Sequence, residues 1–415
     1  MDKPINRQPA KVIHIDINSC FATLEQQANH LLRGKPVAVA AYTTDSGCIV
    51  SPSIEAKQAG IKTGMRVAQA RQICPQLIVL QPDVDKYRYI HQQFIQLLGQ
   101  FAPSVTPLSI DEAVLDFRAY RLPGKMDITQ LAGQIKQQIR QQIGDWISCN
   151  AGIAPSRFLA KLAAGYNKPD GLTLIDHTNL IQFYAQLSLT DLPGINRATA
   201  NKLNQAGIYR PTEFLQASAY HLQHRVFRSV IGYYWYLKLR GWDPDQHRRQ
   251  GLSLSQQYSL PQATADKARL KNHILALTQK LGQRLRSRQL SAKCVELMLY
   301  LGQGQSWRRQ HQLPWPVCTN QQLYHALSKL IDLWPGQRPA RIVSVAAKQL
   351  IDWQPGQLEL WTDQQLTRLT QLNLAVDQVN QRYGNFTVCP AQMLASNHRP
   401  QDRIAFGNTG NLPAK

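Results

Sequence analysis

Three acidic residues stand where ordinary surface solvation does not easily explain them. Asp16 closes the β-branched run 12–17 (VIHIDI), and the pair Asp111 and Glu112 lies inside the apolar run 109–117 (SIDEAVLDF). Clustered carboxylates repel one another unless divalent cations lie between them, and hard oxygen ligands suit Mg²⁺. A site for two Mg²⁺ ions and phosphoryl transfer would satisfy this demand. On spacing alone, a strand-end turn or a surface edge is the simpler explanation.

The adjacency of Asp111 and Glu112 adds a geometric condition. Neighbouring residues on a regular strand point to opposite faces of the sheet. Both can therefore share one site only if the backbone turns or bulges between them. We expect such a distortion at this pair.

The elements that would position these residues alternate between strand and helix as far as about residue 155. Short β-branched or apolar runs predict strands, and apolar residues at three- and four-residue spacing predict helices. Predicted strands cover 12–17, 37–42, 109–117 and 146–153, and predicted helices cover 21–32, 51–60, 87–101 and 128–139. Apolar periodicity beyond these segments becomes helical as far as residue 240, which places a domain boundary near Gly171.

The length and charge of the chain indicate which kinds of partner the protein can bind. The chain has 415 residues, which predicts two to four domains, and 47 Lys+Arg against 26 Asp+Glu, a net charge of +21. Such an excess favours nucleic acid or an anionic membrane surface. We expect no membrane segment, because no apolar run reaches about 20 residues. We also expect a cytoplasmic protein that is associated with the bacterial nucleoid. Seven cysteines without a C-x-x-C pair indicate neither disulfides nor a zinc site.

The basic residues concentrate in the second half of the chain. Residues 238–310 contain 14 Lys+Arg against 4 Asp+Glu, and part of this charge lies on the predicted helix 267–288. Residues 241–251 lack apolar periodicity, which is typical of a linker. We expect the helix that follows, including Arg284 and Arg286, to face DNA.

Five motifs occur in one order and resemble those of the Y-family DNA polymerases. They are IHIDINSCFATLE, SPSIEAKQAGIKTGM, PLSIDEAVLDF, GIAPSRFLAKLAAGYNKPDG and LPGINRATANKLNQAGI. The resemblance covers residues 11 to about 355 and implies an α+β multidomain, right-hand fold that copies damaged DNA. The implied divisions are palm (1–19 and 84–171), fingers (20–83), helical thumb (172–240), linker (241–252), α/β little finger (253–352) and a clamp-binding motif with a C-terminal tail (353–415).

The resemblance also implies roles for individual residues. Asp16, Asp111 and Glu112, with the Ile17 carbonyl, match ligands of two Mg²⁺ ions. Phe21 matches a steric gate against the ribose 2′-hydroxyl, although a core phenylalanine is the plain alternative. Expected contacts with the deoxynucleoside triphosphate come from Cys20, Phe21, Lys57 and Lys161.

Two positions depart from the commonest family pattern. Ile54 and Lys57 stand where many members carry a tyrosine and an arginine, so one phosphate contact is lost and another keeps charge without a bidentate fork. We therefore expect weaker nucleotide binding. Asn18 and this fingers pattern look closer to the catalytic subunit of bacterial DNA polymerase V than to polymerase IV.

Further partners are implied at two places. The segment 192–208 resembles a helix-hairpin-helix, in which Gly194 and Asn196 would present backbone N–H groups to DNA phosphate. The pentapeptide QLELW resembles a motif for the bacterial sliding clamp through Gln357, Leu358, Leu360 and Trp361. A helix over 369–384 and an otherwise unstructured tail complete the expectation.

The expected partners are primer-template DNA, a deoxynucleoside triphosphate, the sliding clamp and accessory mutagenesis subunits. Two other hypotheses remain open. One is a catalytically inactive family member that binds the clamp as a scaffold, and the other is a basic DNA-binding repair factor. Nucleotide incorporation would separate both from an active polymerase.

Overall fold

The computed structural model describes residues 3–120, 127–244, 253–353 and 364–393, and these divide into two compact units, 3–244 and 253–393. The strands of the first unit are β1 (Val12–Ile17), β2 (Val37–Ala40), β3 (Ile49–Pro52), β4 (Ile78–Leu80), β5 (Val105–Pro107), β6 (Glu112–Asp116), β7 (Cys149–Ala154) and β8 (Leu172–Leu174). Its helices are α1 (Cys20–Ala28), α2 (Ile54–Gln58), α3 (Val67–Ile73), α4 (Val84–Gly99), α5 (Ile128–Gln142), α6 (Arg157–Gly165), α7 (Leu180–Ala185), α8 (Arg197–Gln205), α9 (Pro211–Gln216) and α10 (Val230–Leu239).

The centre of the first unit is a mixed five-stranded sheet in the order β5-β6-β1-β7-β8. Its pairs are antiparallel except for β7 with β8. Ile13 and Ile15 of β1 pack into a core shared with α4 and α5, whereas Val12 packs toward α6 on the opposite face. The alternation of β1 thereby directs His14 and Asp16 to the α6 face.

A glycine lets α6 approach this sheet closely. A Cβ atom on Gly152 of β7 would collide with the backbone of Ala160 and Ala164 in α6. Ser156 begins the helix, since its side chain accepts a hydrogen bond from the Leu159 N–H. The close contact brings Lys161 of α6 to the edge of β1 and β6.

Two smaller parts complete the first unit. Strands β2, β3 and β4 form a three-stranded sheet that packs with α2 and α3 around its own small core. Helices α7 to α10 pack with α6 around the core on the other face of the central sheet. These parts contain the residues predicted to form the fingers (20–83) and the thumb (172–240), and that division stays a prediction.

The second unit is a four-stranded antiparallel sheet covered by helices on one face. Its strand order is β11-β10-β12-β9, and its core contains Leu277, Leu297 and Trp334. The elements are β9 (Ser253–Thr264), α11 (Lys267–Ser287), β10 (Leu290–Gly302), β11 (Gln305–Val317), α12 (Asn320–Asp332), β12 (Ala340–Asp352) and α13 (Gln364–Tyr383). The predicted α+β class is confirmed.

Three sequence expectations need correction. The strand predicted over 109–117 begins only at Glu112, and the helix predicted over 21–32 ends at Ala28, followed by a short 3₁₀ turn. The palm does not end at residue 171, because β8 is the last strand of its sheet. The helix predicted over 369–384 is confirmed as α13, which packs against α11.

Candidate active site

Two neighbouring strands bring the predicted carboxylates together. Asp16 lies directly opposite Glu112 in the antiparallel pairing of β1 with β6. Directly opposed residues on neighbouring strands have Cβ atoms about 5 Å apart, so their side chains share one place on the sheet. Sequence positions almost a hundred residues apart thus form one acidic site.

The predicted distortion at Asp111 and Glu112 is confirmed. Strand β6 begins at Glu112, and Asp111 lies in a bend just before it. The N–H groups of Leu108 and Ser109 both approach the Glu112 carbonyl, at 3.0 and 3.3 Å, and the Ile17 N–H donates to the Asp111 carbonyl at 2.9 Å. This bend frees Asp111 from strand alternation.

The two adjacent carboxylates have opposite electrostatic character. Burial raises the pKa of Asp111 to about 6; a hydrogen bond from the Ser109 hydroxyl, 2.5 Å away, lowers it, and the nearby charges of Asp16 and Glu112 raise it further. Burial also raises the pKa of Glu112, but hydrogen bonds from His14 and Lys161 outweigh this and lower it to about 2. Asp111 is thus the carboxylate whose charge is least compensated.

Lysines surround the carboxylates. Lys161 Nζ lies 2.8 Å from both oxygens of Glu112, and Lys168 Nζ lies 2.7 Å from Asp16 Oδ2. The pKa of Lys57 is lowered by partial desolvation and by the Lys168 ammonium, and is raised in part by Asp16 and Asp111. Lys57 of the fingers therefore lies within electrostatic reach of the same site.

Two neighbours of the carboxylates were not chosen from the sequence. Lys168 lies inside the fourth motif (YNKPDG), so the motif itself could have pointed to it. His14 is fully buried, and its Nε2 lies 3.0 Å from Glu112 Oε2. The sequence showed that His14 and Asp16 share one face of β1, because they are two residues apart. The contact of His14 with Glu112 could not be seen there, because it depends on the register in which β1 pairs with β6.

The donor set fits divalent cations. Ligand atoms of His14, Asp16 and Glu112 lie within 4.8 Å of one another, and Asp111 adds a carboxylate that is costly to leave charged and unpaired. Oxygen-rich sets of this kind suit hard divalent ions. The lysine ammonium groups supply the compensating positive charge in this structure.

The two residues at the start of α1 that were predicted to contact the nucleotide are buried. Burial raises the pKa of the Cys20 thiol, and the charges of Asp111 and Asp16 raise it further, which places Cys20 beside the carboxylates. The Phe21 ring has no exposed surface and stacks on Tyr87 with ring centroids 4.5 Å apart. The structure therefore favours a core role for this ring, and the gate role stays a prediction.

The predicted DNA contacts of the thumb lie at the start of α8. Gly194 has a φ of +94°, which favours glycine, and both Gly194 and Asn196 are exposed. The Asn196 side chain accepts a hydrogen bond from the Thr199 N–H at 2.8 Å and so caps the helix. DNA binding there stays a prediction.

The two arginines predicted to face DNA differ sharply. Arg286 has a side chain only 1% exposed, pairs with Asp377 of α13 and donates to the Cys318 carbonyl at 2.7 Å. The prediction for Arg286 is therefore wrong, because its guanidinium is buried among these partners. Arg284 is partly exposed, donates to the Ser255 carbonyl at 2.8 Å and remains a candidate.

The predicted clamp motif, residues 357–361, lies outside the described residues. In the part of the chain that the structure describes, no helix combines the length and apolar character needed to cross a bilayer.

Two family models match the chain. Residues 15–165 match the impB/mucB/samB family, and residues 252–360 match the C-terminal domain of that family. A solved Y-family DNA polymerase chimera has a TM-score of 0.71, with 23% identity over 82% of this chain and 99% of the chimera. The chain therefore shares that fold.

Curated relatives agree along nearly their whole length. DNA polymerase IV of Staphylococcus saprophyticus is 31% identical, covering 82% of this chain and 95% of the relative. The enzyme of the same name from Halorhodospira halophila is 31% identical over 84% and 97%, and that of Oceanobacillus iheyensis is 28% identical over 96% and 97%. These names correct the expectation that the chain lies closer to polymerase V, which rested on Asn18 and a short pattern in the predicted fingers.

Proposed function

The chain belongs to the Y family of DNA polymerases, described also as the impB/mucB/samB family, and on that premise we propose that it is a DNA-directed DNA polymerase that copies damaged templates. It adds deoxynucleotides to a primer 3′ end with two Mg²⁺ ions and with low fidelity. The observation that carries this proposal is the convergence of Asp16, Asp111 and Glu112 at one place on the central sheet.

The cation ligands in this proposal are Asp16, Asp111 and Glu112, together with the Ile17 carbonyl. Divalent ions bound there neutralise charge on the transferring phosphoryl group and make the attacking hydroxyl more acidic. The protein supplies a preformed arrangement: β1 and β6 fix Asp16 and Glu112, and His14 holds one oxygen of Glu112. The bend before β6 holds Asp111.

Lys57, Lys161 and Lys168 would bind the triphosphate. Each is a point charge on a flexible stem, and all three lie at or near the carboxylates. If cations occupied the carboxylates, the ammonium groups of Lys161 and Lys168 would lose their present partners and would be available to phosphate oxygens. The same lysines would thus neutralise the carboxylates when no cation is bound and the triphosphate when cations are bound.

Primer extension tests the proposal. The full chain with Mg²⁺, deoxynucleotides and a primer on an abasic template should extend past the abasic position. Asp111→Ala should lower the rate by more than about a hundredfold, because losing even an outer-shell partner of a metal site costs up to that much. The matched control Asp45→Ala, which removes an exposed carboxylate of the fingers region, should remain active.

Two results would contradict the proposal. Unchanged extension by Asp111→Ala would remove the metal assignment. No extension by the wild-type chain, with or without the sliding clamp, would instead favour the inactive scaffold.

The steric gate is tested by sugar selection. Phe21→Ala should raise ribonucleotide incorporation relative to deoxynucleotide incorporation, because a smaller side chain leaves room for the 2′-hydroxyl. Parallel single-nucleotide kinetics with both sugars measure the ratio. An active variant with an unchanged ratio would assign Phe21 to the core, consistent with its stack on Tyr87.

The sliding clamp is proposed as a partner through Gln357, Leu358, Leu360 and Trp361. Deleting residues 357–361 should abolish stimulation by the clamp while basal extension continues. Stimulation that persists after the deletion would refute the motif.

A further inference from the structure

The bend that carries Asp111 is held on both sides of Ile110. Ser109 and Glu112 are joined through a backbone hydrogen bond, and the Asp111 carbonyl accepts from the Ile17 N–H. The Ser109 hydroxyl donates to the Asp111 carboxylate at 2.5 Å. These contacts all come from the sheet or from the bend itself.

The remaining residue of the bend is held from a different element. His91 lies on α4, is 5% exposed, and its Nδ1 lies 2.9 Å from the Ile110 carbonyl oxygen. A carbonyl oxygen only accepts hydrogen bonds, so Nδ1 carries the proton and donates it. Helix α4 is itself fixed beneath the sheet by the buried side chains of Tyr87, Phe94 and Leu98.

The contact acts on the peptide group that leads into Asp111. Because a peptide unit is planar, fixing the Ile110 carbonyl also fixes the direction in which the chain reaches the Asp111 Cα. The Asp111 carboxylate lies near the like charges of Asp16 and Glu112, so electrostatic repulsion favours its displacement. A fixed peptide group opposes that displacement.

We propose that His91 is a positioning residue of the carboxylate site: its Nδ1–H bond to the Ile110 carbonyl holds the bend so that Asp111 faces the ions that Asp16 and Glu112 also bind. This inference rests on the proposed polymerase function, because it assigns Asp111 to the ion site. It predicts a defect in ion affinity rather than in nucleotide or DNA binding.

Mn²⁺ is a suitable probe, since its binding to the full chain can be followed by electron paramagnetic resonance without DNA or nucleotide. His91→Leu should weaken Mn²⁺ binding roughly tenfold, the lower end of what loss of an outer-shell partner costs. The Mg²⁺ concentration for half-maximal primer extension should rise in parallel, with little change in the KM for deoxynucleotide. His91→Asn should restore most of the affinity, because its amide can donate from nearly the same position as Nδ1.

Controls separate positioning from general damage. His273→Leu removes a similarly buried histidine from α11 of the second unit and should leave Mn²⁺ binding unchanged. If His91→Leu does not fold, His91→Ala, which leaves room for water at the carbonyl, takes its place with the same expected loss.

The outcomes are distinguishable. Unchanged Mn²⁺ affinity in the Leu or Ala variant overturns the inference, as does an equal loss in Leu and Asn variants, which would show packing rather than donation. A wild-type chain that binds Mn²⁺ but extends no primer would overturn the proposed function, while the Mn²⁺ comparison would still decide the role of His91.

Discussion

Two clusters of charged residues in this protein differ in how completely their charges are paired. On the central sheet of the first unit, three carboxylates converge, and burial together with the negative charges of Asp16 and Glu112 disfavours the charged form of Asp111. In the second unit, Arg286 meets one carboxylate, Asp377, through two hydrogen bonds of 2.6 and 2.8 Å. Two further acceptors, the Cys318 carbonyl and Asn320, complete the guanidinium's partners.

The difference separates a site for ligands from a structural joint. The Arg286 cluster is balanced one charge against one and almost completely hidden from solvent, so nothing is left for a ligand to satisfy. In the carboxylate cluster, Lys161 and Lys168 pair with Glu112 and Asp16, but none of the ion pairs among the described residues includes Asp111, and cations would relieve its charge. Incomplete compensation therefore distinguishes the functional cluster from the structural one.

The largest expected effect comes from breaking the balanced cluster. Arg286→Met should lower the free energy of unfolding of the second unit by about 3 kcal/mol, the lower end for a broken buried pair, because Asp377, whose side chain is 18% exposed, is left without its partner. Hydrogen exchange of the α11 amides under native conditions measures this loss. The double variant Arg286→Met with Asp377→Leu should recover much of it, since removing both charges also removes the desolvation cost.

Arg284→Met is the matched comparison on the same helix. Its loss of stability should be nearer 1 kcal/mol, because its one described bond is to the Ser255 carbonyl. If Arg284 contacts a DNA phosphate, the Arg284→Met variant should bind DNA more weakly. The slope of the logarithm of the DNA affinity against the logarithm of the salt concentration should then fall in magnitude by about one. A fall in salt dependence for Arg286→Met, with stability unchanged, would show that the two clusters are not different in kind.

The sequence was most informative where chemistry and backbone geometry constrain each other. Asp16, Asp111 and Glu112 stood out because apolar neighbours make charges expensive, and strand alternation required a bend that the structure contains. Much of the strand and helix pattern of the first unit followed from apolar periodicity. The start of β6 and the end of α1 did not. The Asp111 carbonyl, just before β6, accepts from the Ile17 N–H of another strand, and the Asn29 side chain accepts from the Leu31 N–H and so begins a 3₁₀ turn.

Residue types alone could not separate the two arginines of α11. Both lie in a basic helix, and the partner that buries Arg286 is 91 residues away, in a predicted helix whose packing partner the sequence did not indicate. Only the docking of α13 shows which face of α11 is covered. Lys168 posed the same difficulty, since its contact with Asp16 spans 152 positions.

A further expected effect concerns the pH dependence of stability, and it tests the carboxylate cluster directly. The pKa of Asp111 is about 6 in the folded protein, against an ordinary value of 3.8 for an aspartate in water. A raised pKa contributes stability that is present below pH 3.8 and is lost as the pH rises through 6. Asp111→Asn should therefore raise the free energy of unfolding at pH 7.5 by on the order of 2 kcal/mol in metal-free buffer, although under the proposed function it should abolish primer extension.

Glu112→Gln provides a comparison of opposite sign. The pKa of Glu112 is lowered to about 2 from 4.5, so its charge contributes stability above pH 4.5 that is lost as the pH falls toward 2. The Gln variant should thus be less stable than wild type at pH 7.5, whereas Asp111→Asn is more stable. Urea denaturation between pH 4 and 7.5 measures both. If Asp111→Asn instead destabilises the fold at pH 7.5, Asp111 is a compensated structural charge like Arg286, and the contrast between the clusters fails.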